Sequence, residues 1–426
     1  MLNKYILLLL AGALGYGVTV ASAPTWPSSS DELEDIMFLN SGYRARGFAN
    51  AVTPCSFSAQ GNGRIAAAEW IRTAFHDMAT GNVFTGVGGL DASLIYELGG
   101  DNIGPAFETT FETFAPFLTS RSSMADIIAL GVYTAVRSCQ GPVIPIRTGR
   151  VDATAAGPPG VPLPQNSLFT LQNQFLRTGF STSEMIAVTA CGHTLGGVHA
   201  EDFPQIVPSG TGGSSFPHFD TTTKFDSQIA VEWVAGTTSD PLSVGPSIAS
   251  GRASDARVFN ADGNVTMKAL ADPLTFASTC VTMLQKMIEV VPSGATLTGP
   301  IVPYEVKPTA MQLTLLSGGS QLSFEGEIRV RTTARPASGI ASVSLIYKDR
   351  NGGNNCSDCK ITTTVKGSAA GFDDSFTVSS TLAFLDRRVN SSYVVLWFFD
   401  SAIRTVGDLI FPSHDQVSRW SHRDIR

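Results

Sequence analysis

Apolar residues recur at three- and four-residue spacing through the first two thirds of the chain. In the last third they alternate or gather in β-branched runs. The first pattern, from about residue 31 to 291, predicts helices over residues 64–78 (RIAAAEWIRTAFHDM), 123–139 (SMADIIALGVYTAVRSC), 167–180 (SLFTLQNQFLRTGF), 181–193 (STSEMIAVTACGH) and 274–291 (LTFASTCVTMLQKMIEVV). Ser181 is followed three residues later by Glu184, the spacing of a capping box, which marks where the fourth helix starts. Gly- and Pro-rich stretches separate the helices. After VPSGATLTGPIVPYEVKP come MQLTLLS, QLSFEGEIRVRTT, IASVSLIYKD, KITTTVKG, DSFTVSSTLAFL and SYVVLWFFD, which read as strands. The expected architecture is a mainly α body over residues 24–292, a linker over 293–308 and a β-sandwich of six or seven strands over 309–426. There is no internal repeat and no low-complexity tract.

The first 23 residues follow a different rule. One lysine, an apolar run of about ten residues and the small residues Ala21-Ser22-Ala23 read as a secretory signal peptide, too short and too glycine-broken to span a membrane. Pro24 makes cleavage after Ala23 awkward, so cleavage after Ala21 is an equal alternative. No later stretch is apolar enough to cross a bilayer. With a net charge of −7 and no Lys/Arg runs, the chain is a poor nucleic-acid binder. Secretion implies an oxidising compartment, in which six cysteines allow many pairings. Cys356 and Cys359 lie in GGNNCSDC, where a local bridge is favoured over zinc because no second Cys/His pair lies nearby. Cys191 and Cys280 fall in apolar helical segments, where buried free thiols are the ordinary expectation and the sequence leaves their pairing open. Asn264, Asn355 and Asn390 begin acceptor sequons for glycosylation.

The chemistry concentrates in WIRTAFHDM. On a helix Arg72 and His76 leave the same face one turn apart, Phe75 lies beside them, and Asp77 points about a quarter-turn away. A second histidine, His193, sits in ACGHTLGG, where small neighbours let a large group approach. HExxH, His-x-His and Cys-x-x-Cys-His are all absent, which removes the zinc-protease and covalent c-type haem readings. Two histidines in separate apolar helices, one accompanied by an arginine, suit a haem held between an axial ligand and a polar catalytic pair.

RTAFHD followed by GGLDAS, then CGHTLGG, HFDTTTKFD and SDARVF, in that order and spacing, resembles the plant/fungal/bacterial haem peroxidase superfamily. The similarity covers residues 45–292 and is greatest to its secreted, calcium-containing fungal branch. The resemblance implies a helical haem peroxidase fold binding haem b and two calcium ions. It makes His76 the distal base, Arg72 the cation that assists the departing oxygen, and Asn102 the acceptor that fixes the His76 tautomer, with Glu97 orienting Asn102. Phe75 would pack over the haem. His193 becomes the axial iron ligand and Asp255 its hydrogen-bond partner. Phe75 and Phe219 stand where intracellular members carry tryptophan, which argues against the cytochrome c and ascorbate peroxidase branch. Asp77, Gly89 (carbonyl), Asp91 and Ser93 match one calcium site. Thr194, Asp220, Thr222, Lys224 (carbonyl) and Asp226 match the other, in a loop one residue shorter than in the fungal relatives. The same resemblance pairs Cys55 with Cys139.

The implied activity is extracellular one-electron oxidation of small phenolic or aromatic donors by hydrogen peroxide, through a high-valent iron state. Manganese-oxidising relatives gather three carboxylates where this chain has Ile65, Glu69 and His199. Relatives with a surface radical tryptophan carry it where this chain has Val188. The role of the β-domain stays open between wall or polysaccharide contact and stabilisation or self-association. A rival reading makes the peroxidase fold a haem-binding scaffold for a wall or adhesion protein with little turnover. The retained Arg72/His76 pair weighs against it.

Overall fold

Helix α2 (Ala66–Met78) explains most of the architecture. Its alanines impose little helix cost, and Trp70, nearly opposite Arg72 on the helical wheel, anchors its inner face. Trp70 is buried in an aromatic cluster, its ring centroid 4.9 Å from Phe48 and 4.7 Å from Phe114. That anchoring turns Arg72, Phe75 and His76 toward the opposite side, where the cavity lies.

The computed structural model describes residues 28–58, 63–209, 215–340, 342–346, 360–386 and 397–398. The signal-peptide segment, Cys356, Cys359, Asn355 and Asn390 lie outside the described residues. The helices are α1 (Asp31–Phe38), α2, α3 (Ala106–Phe114), α4 (Met124–Ser138), α5 (Leu168–Arg177), α6 (Thr182–His193), α7 (Gln228–Ala235), α8 (Pro246–Ala249), α9 (Ser254–Phe259), α10 (Val265–Leu270) and α11 (Pro273–Ile288). The helices expected from apolar spacing are α2, α4, α5, α6 and α11. Ser181 caps α6 as foreseen: its hydroxyl accepts from the Glu184 N–H while the Glu184 carboxylate accepts from the Ser181 N–H. The buried Arg150 pairs with Asp126 at 2.9 Å on the first turn of α4 and donates to the Ile288 carbonyl at the end of α11. It thereby ties the two halves of the helical body together.

Two disulfides brace this body. Cys55–Cys139 fixes the end of α4 to the segment that precedes α2. Cys191–Cys280 joins α6 to α11. The second corrects the free-thiol expectation. Periodicity placed both cysteines on apolar faces but could not show that those faces meet, which is a tertiary fact.

The carboxy-terminal region is β-rich. Strands β2 (Val306–Leu315), β3 (Gln321–Arg331), β6 (Thr364–Ala370) and β7 (Ser375–Asp386) form a sheet ordered β1-β6-β7-β3-β2, whose edge β1 (Ser41–Gly42) comes from the other end of the chain. A second sheet contains β4 (Ser344–Ile346), β5 (Lys360–Thr362) and β8 (Trp397–Phe398). Val306, Phe324, Ile328 and Val330 from the first sheet share a small core with Leu345 and Ile361 from the second. The fold is thus a mainly helical body followed by a β domain.

The two regions are stitched together. Asn40 and Tyr43 donate their N–H groups to Ala370 and Ser368 on either side of β1. Gly42 has φ +84°, and a Cβ there would come within 2.3 Å of the Ser368 carbonyl oxygen, so the junction requires glycine. Beside it, the fully buried Glu34 of α1 meets Lys307 of β2 at 2.8 Å and also pairs with Arg329 of β3. Asp35 bonds the same two cations at 2.9 and 2.8 Å.

Candidate active site

His76 and His193 open into one cavity of ≈ 360 Å³. Its lining includes Arg72, Phe75 and His76 from α2, His193 from α6, Phe219, and Asp255 from α9. Residues 117 positions apart in sequence therefore face a common space because α2 and α6 pack on opposite sides of it.

His76 is held by its far nitrogen. Nδ1 lies 2.7 Å from Asn102 Oδ1, while the Asn102 amide donates at 2.8 Å to the Glu97 main-chain carbonyl. The second bond assigns Oδ1 as the acceptor, so Nδ1 of His76 carries the proton and Nε2 keeps a lone pair. Burial, reinforced by the Arg72 charge, pushes the imidazole down to about 3, so it is a neutral base at ordinary pH. Arg72 is lowered to about 10 by burial and stays charged. Its guanidinium donates to the Ile103 carbonyl at 3.0 Å and lies 4.3 Å from the Phe107 ring centroid. Glu97 orients Asn102 through its backbone. Its side chain instead accepts from the Gly157 N–H at 2.7 Å, a refinement that no sequence spacing indicated.

On the other wall His193 Nδ1 lies 2.5 Å from Asp255 Oδ2. Burial opposes a charged imidazole here, but the Asp255 carboxylate outweighs it and raises the His193 pKa above its ordinary value. Phe219 stacks on the His193 ring, 4.3 Å between centroids and 7° from parallel, which limits rotation of the imidazole. Behind the pair lies Asp240, a fully buried carboxyl that sequence reading missed. Burial and the nearby Asp255 charge hold it well above the usual range, and it accepts from the Ser243 hydroxyl at 2.5 Å. An Asp in a TSDPL loop offered no spacing signal toward His193.

The oxygen-rich segments sit beside these walls. Asp77 accepts from the N–H groups of Ala92 and Leu94 at 2.8 and 3.0 Å, and burial raises its carboxyl to about 8. Asp91 Oδ1 accepts from the Ser93 N–H, and Gly89 donates to the Thr80 hydroxyl. Near α6, Thr194 donates to the Asp226 carbonyl, and Thr222 donates to the Asp220 and Asp226 carboxylates. Lys224 lies in this same loop. Burial pushes Asp220 up to about 7, and its Oδ2 is buried without a hydrogen-bond partner. These carboxylates come in pairs: among the described residues no group of three His, Cys, Asp or Glu side chains converges as a metal cage would require.

At the cavity mouth Glu69 pairs with Arg64 at 2.8 Å, and Arg64 also holds Asp202 and Glu201 at 3.0 and 3.2 Å. His199 stacks on Phe216, 4.1 Å apart. Ile65 lines the same space. Val188 is 3% exposed and also lines the cavity, so in this fold the position faces inward.

Residues 55–241 match the family model described as peroxidase. A WSC domain-containing protein of Arthroderma benhamiae is 64% identical over 360 residues, 84% of this chain and 50% of that protein. The putative L-ascorbate peroxidase 6 of Arabidopsis thaliana is 34% identical over 30% of this chain and 41% of its own length. The mitochondrial cytochrome c peroxidase of Yarrowia lipolytica is 40% identical over 19% of this chain and 24% of its own. The chain spans half or less of the length of these relatives. The stretch matched by the peroxidase family model runs from the segment before α2 to the loop before α8 and so takes in both His76 and His193.

Proposed function

We propose that the chain is a secreted haem peroxidase that uses hydrogen peroxide to oxidise small phenolic or aromatic donors. The observation that carries this reading is the neutral, tautomer-fixed His76 beside a charged, half-buried Arg72, facing the same cavity as His193. A protein that only retained haem would need His193 and would gain nothing from burying a guanidinium. Phe75 and Phe219 in place of tryptophans favour the secreted fungal branch over the ascorbate and cytochrome c peroxidase branch.

The residues fit a haem b. Both walls of the cavity are largely apolar, and His193 offers an imidazole backed by a carboxylate, the donor set of an axial iron ligand. When bound, the haem supplies the redox chemistry, accepting oxidation by peroxide and taking electrons back singly from donors. His76 takes a proton from one peroxide oxygen at Nε2 and returns it to the other as the O–O bond breaks. Arg72 stabilises the negative charge that develops on the departing oxygen. Asn102 keeps the imidazole in the tautomer that can do this. Asp255 holds the Nδ1 proton of His193 and increases electron donation from its other nitrogen. Spectra of purified protein before and after one equivalent of peroxide, with turnover of a phenol, test the reading. A haem band without peroxide-dependent turnover would favour the scaffold reading.

Donor range follows from the cavity mouth. Arg64 already occupies Glu69, Asp202 and Glu201, and neither Ile65 nor His199 is an acid, so manganese(II) lacks the oxygen ligands needed to offset its hydration. Val188 cannot carry a radical. Steady-state assays should show efficient oxidation of small phenols, no saturable manganese(II) oxidation and little turnover of veratryl alcohol. Saturable manganese oxidation would overturn the mouth argument. Fast veratryl alcohol turnover would point to a relay elsewhere, such as Trp233, whose indole donates to Asn264.

Calcium is proposed for the two oxygen-rich segments, on the strength of the unpartnered Asp220 Oδ2 and two buried carboxyls that a cation would hold ionised. Threonine, serine and carbonyl oxygens would complete each shell. Prolonged chelation should lower the melting temperature by about 5 °C and slowly inactivate the enzyme, with recovery on adding calcium. Asp77 adjoins His76 and Thr194 adjoins His193, so loss of either ion tilts a wall of the cavity. Indifference to chelation would remove both sites.

A further inference from the structure

Three of the six residues from Asn102 to Phe107 touch the distal pair. Asn102 holds His76, the Ile103 carbonyl accepts from Arg72, and the Phe107 ring meets both. Phe107 is fully buried in the first turn of α3. Its ring centroid lies 4.6 Å from the His76 ring and 4.3 Å from the Arg72 guanidinium carbon. A second ring, Phe203, stands 5.7 Å from the same guanidinium.

Arginine has a long side chain with several rotatable bonds, and in an apolar cavity its placement depends on what meets it. Among the described residues no carboxylate bonds the Arg72 guanidinium; its hydrogen-bond acceptor there is one backbone carbonyl. A carboxylate partner would neutralise the charge that the departing oxygen needs. An aromatic face attracts a cation without donating negative charge to it, and a desolvated site strengthens that attraction. The same ring packs on His76, so one rigid side chain sets the spacing between base and cation.

We propose that Phe107 is a positioning residue for the Arg72/His76 pair, governing reactivity toward peroxide without touching it. The proposal rests on the reading of that pair as the groups that cleave peroxide. In the Phe107→Leu holoenzyme the cavity wall keeps an apolar filler but loses the ring face. The second-order rate with peroxide should fall about tenfold, while the rate of donor oxidation stays unchanged. Phe107→Tyr, which keeps the ring face, should recover most of the loss. A crystal structure of the Phe107→Leu holoenzyme should show the Arg72 guanidinium displaced from the Ile103 carbonyl. An unchanged peroxide rate with Arg72 in place would overturn the proposal. So would a parallel fall of both rates with loss of haem, because the ring would then be core packing alone. If the wild-type protein itself fails to react with peroxide, the functional reading falls, and the position of Arg72 in the variant crystal still decides the positioning role.

Discussion

Replacing His76 with leucine should leave haem uptake intact and slow the reaction with hydrogen peroxide by about 10³- to 10⁴-fold. Leucine fills the volume of the imidazole but cannot accept a proton, and Asn102 Oδ1 loses the N–H that it accepts from. Arg72 would remain, so some charge stabilisation should persist and the reaction should not vanish. Stopped-flow measurement of the first spectral change after mixing with peroxide checks this. The wild-type pH profile supplies a companion result. His76 is neutral until pH falls to about 3, so the peroxide rate should be flat across the neutral range and drop only as acid protonates the ring and removes its lone pair. A near-normal rate in the leucine variant would refute the distal assignment.

Changing His193 to alanine should weaken haem binding by at least about 100-fold, since loss of an outer partner alone costs 10- to 100-fold in metal affinity. The purified variant should be haem-poor, with Asp255 and Phe219 left around a hole the size of an imidazole. Added imidazole should enter that hole, donate its N–H to the Asp255 carboxylate and restore part of the haem spectrum. Full haem content with an unaltered spectrum would place the axial ligand elsewhere.

Local signals in the sequence foretold the elements that carry the site. Arg72 and His76 share a face because helical periodicity is intrinsic to residues 64–78, and the Ser181/Glu184 box marked the start of α6. The six strand-like runs became β2 to β8, with the KITTTVKG run split between β5 and β6. Illegible were features made by two distant segments meeting. Cys191 and Cys280 bond because α6 and α11 pack together, and Asp240 backs His193 because a loop returns behind α9. Ile103 acts through its carbonyl, which every residue possesses, so its contact with Arg72 left no compositional trace. The placement of α1 against the β sheet was equally hidden, since DELEDIMF reads as an ordinary amphipathic helix with a solvated acidic face.

That placement also bears on how the chain is made. Glu34 is separated from Lys307 by 273 residues and from Arg329 by 295. At roughly 5–20 residues per second, Glu34 and Asp35 wait about 15–60 s on the ribosome before these counter-ions exist. During that interval these two carboxylates have reason to stay in water, because burying Glu34 unpaired would cost several kcal/mol. The aromatic cluster around Trp70 and the cavity walls are complete by residue 292 and need not wait. The ion pairs of Glu34 and Asp35 with Lys307 and Arg329 can therefore form only after the helical body has been made, closing α1 against the sheet like a clasp. A chain cut short after residue 292 would lack both cations and leave the clasp without its fastening.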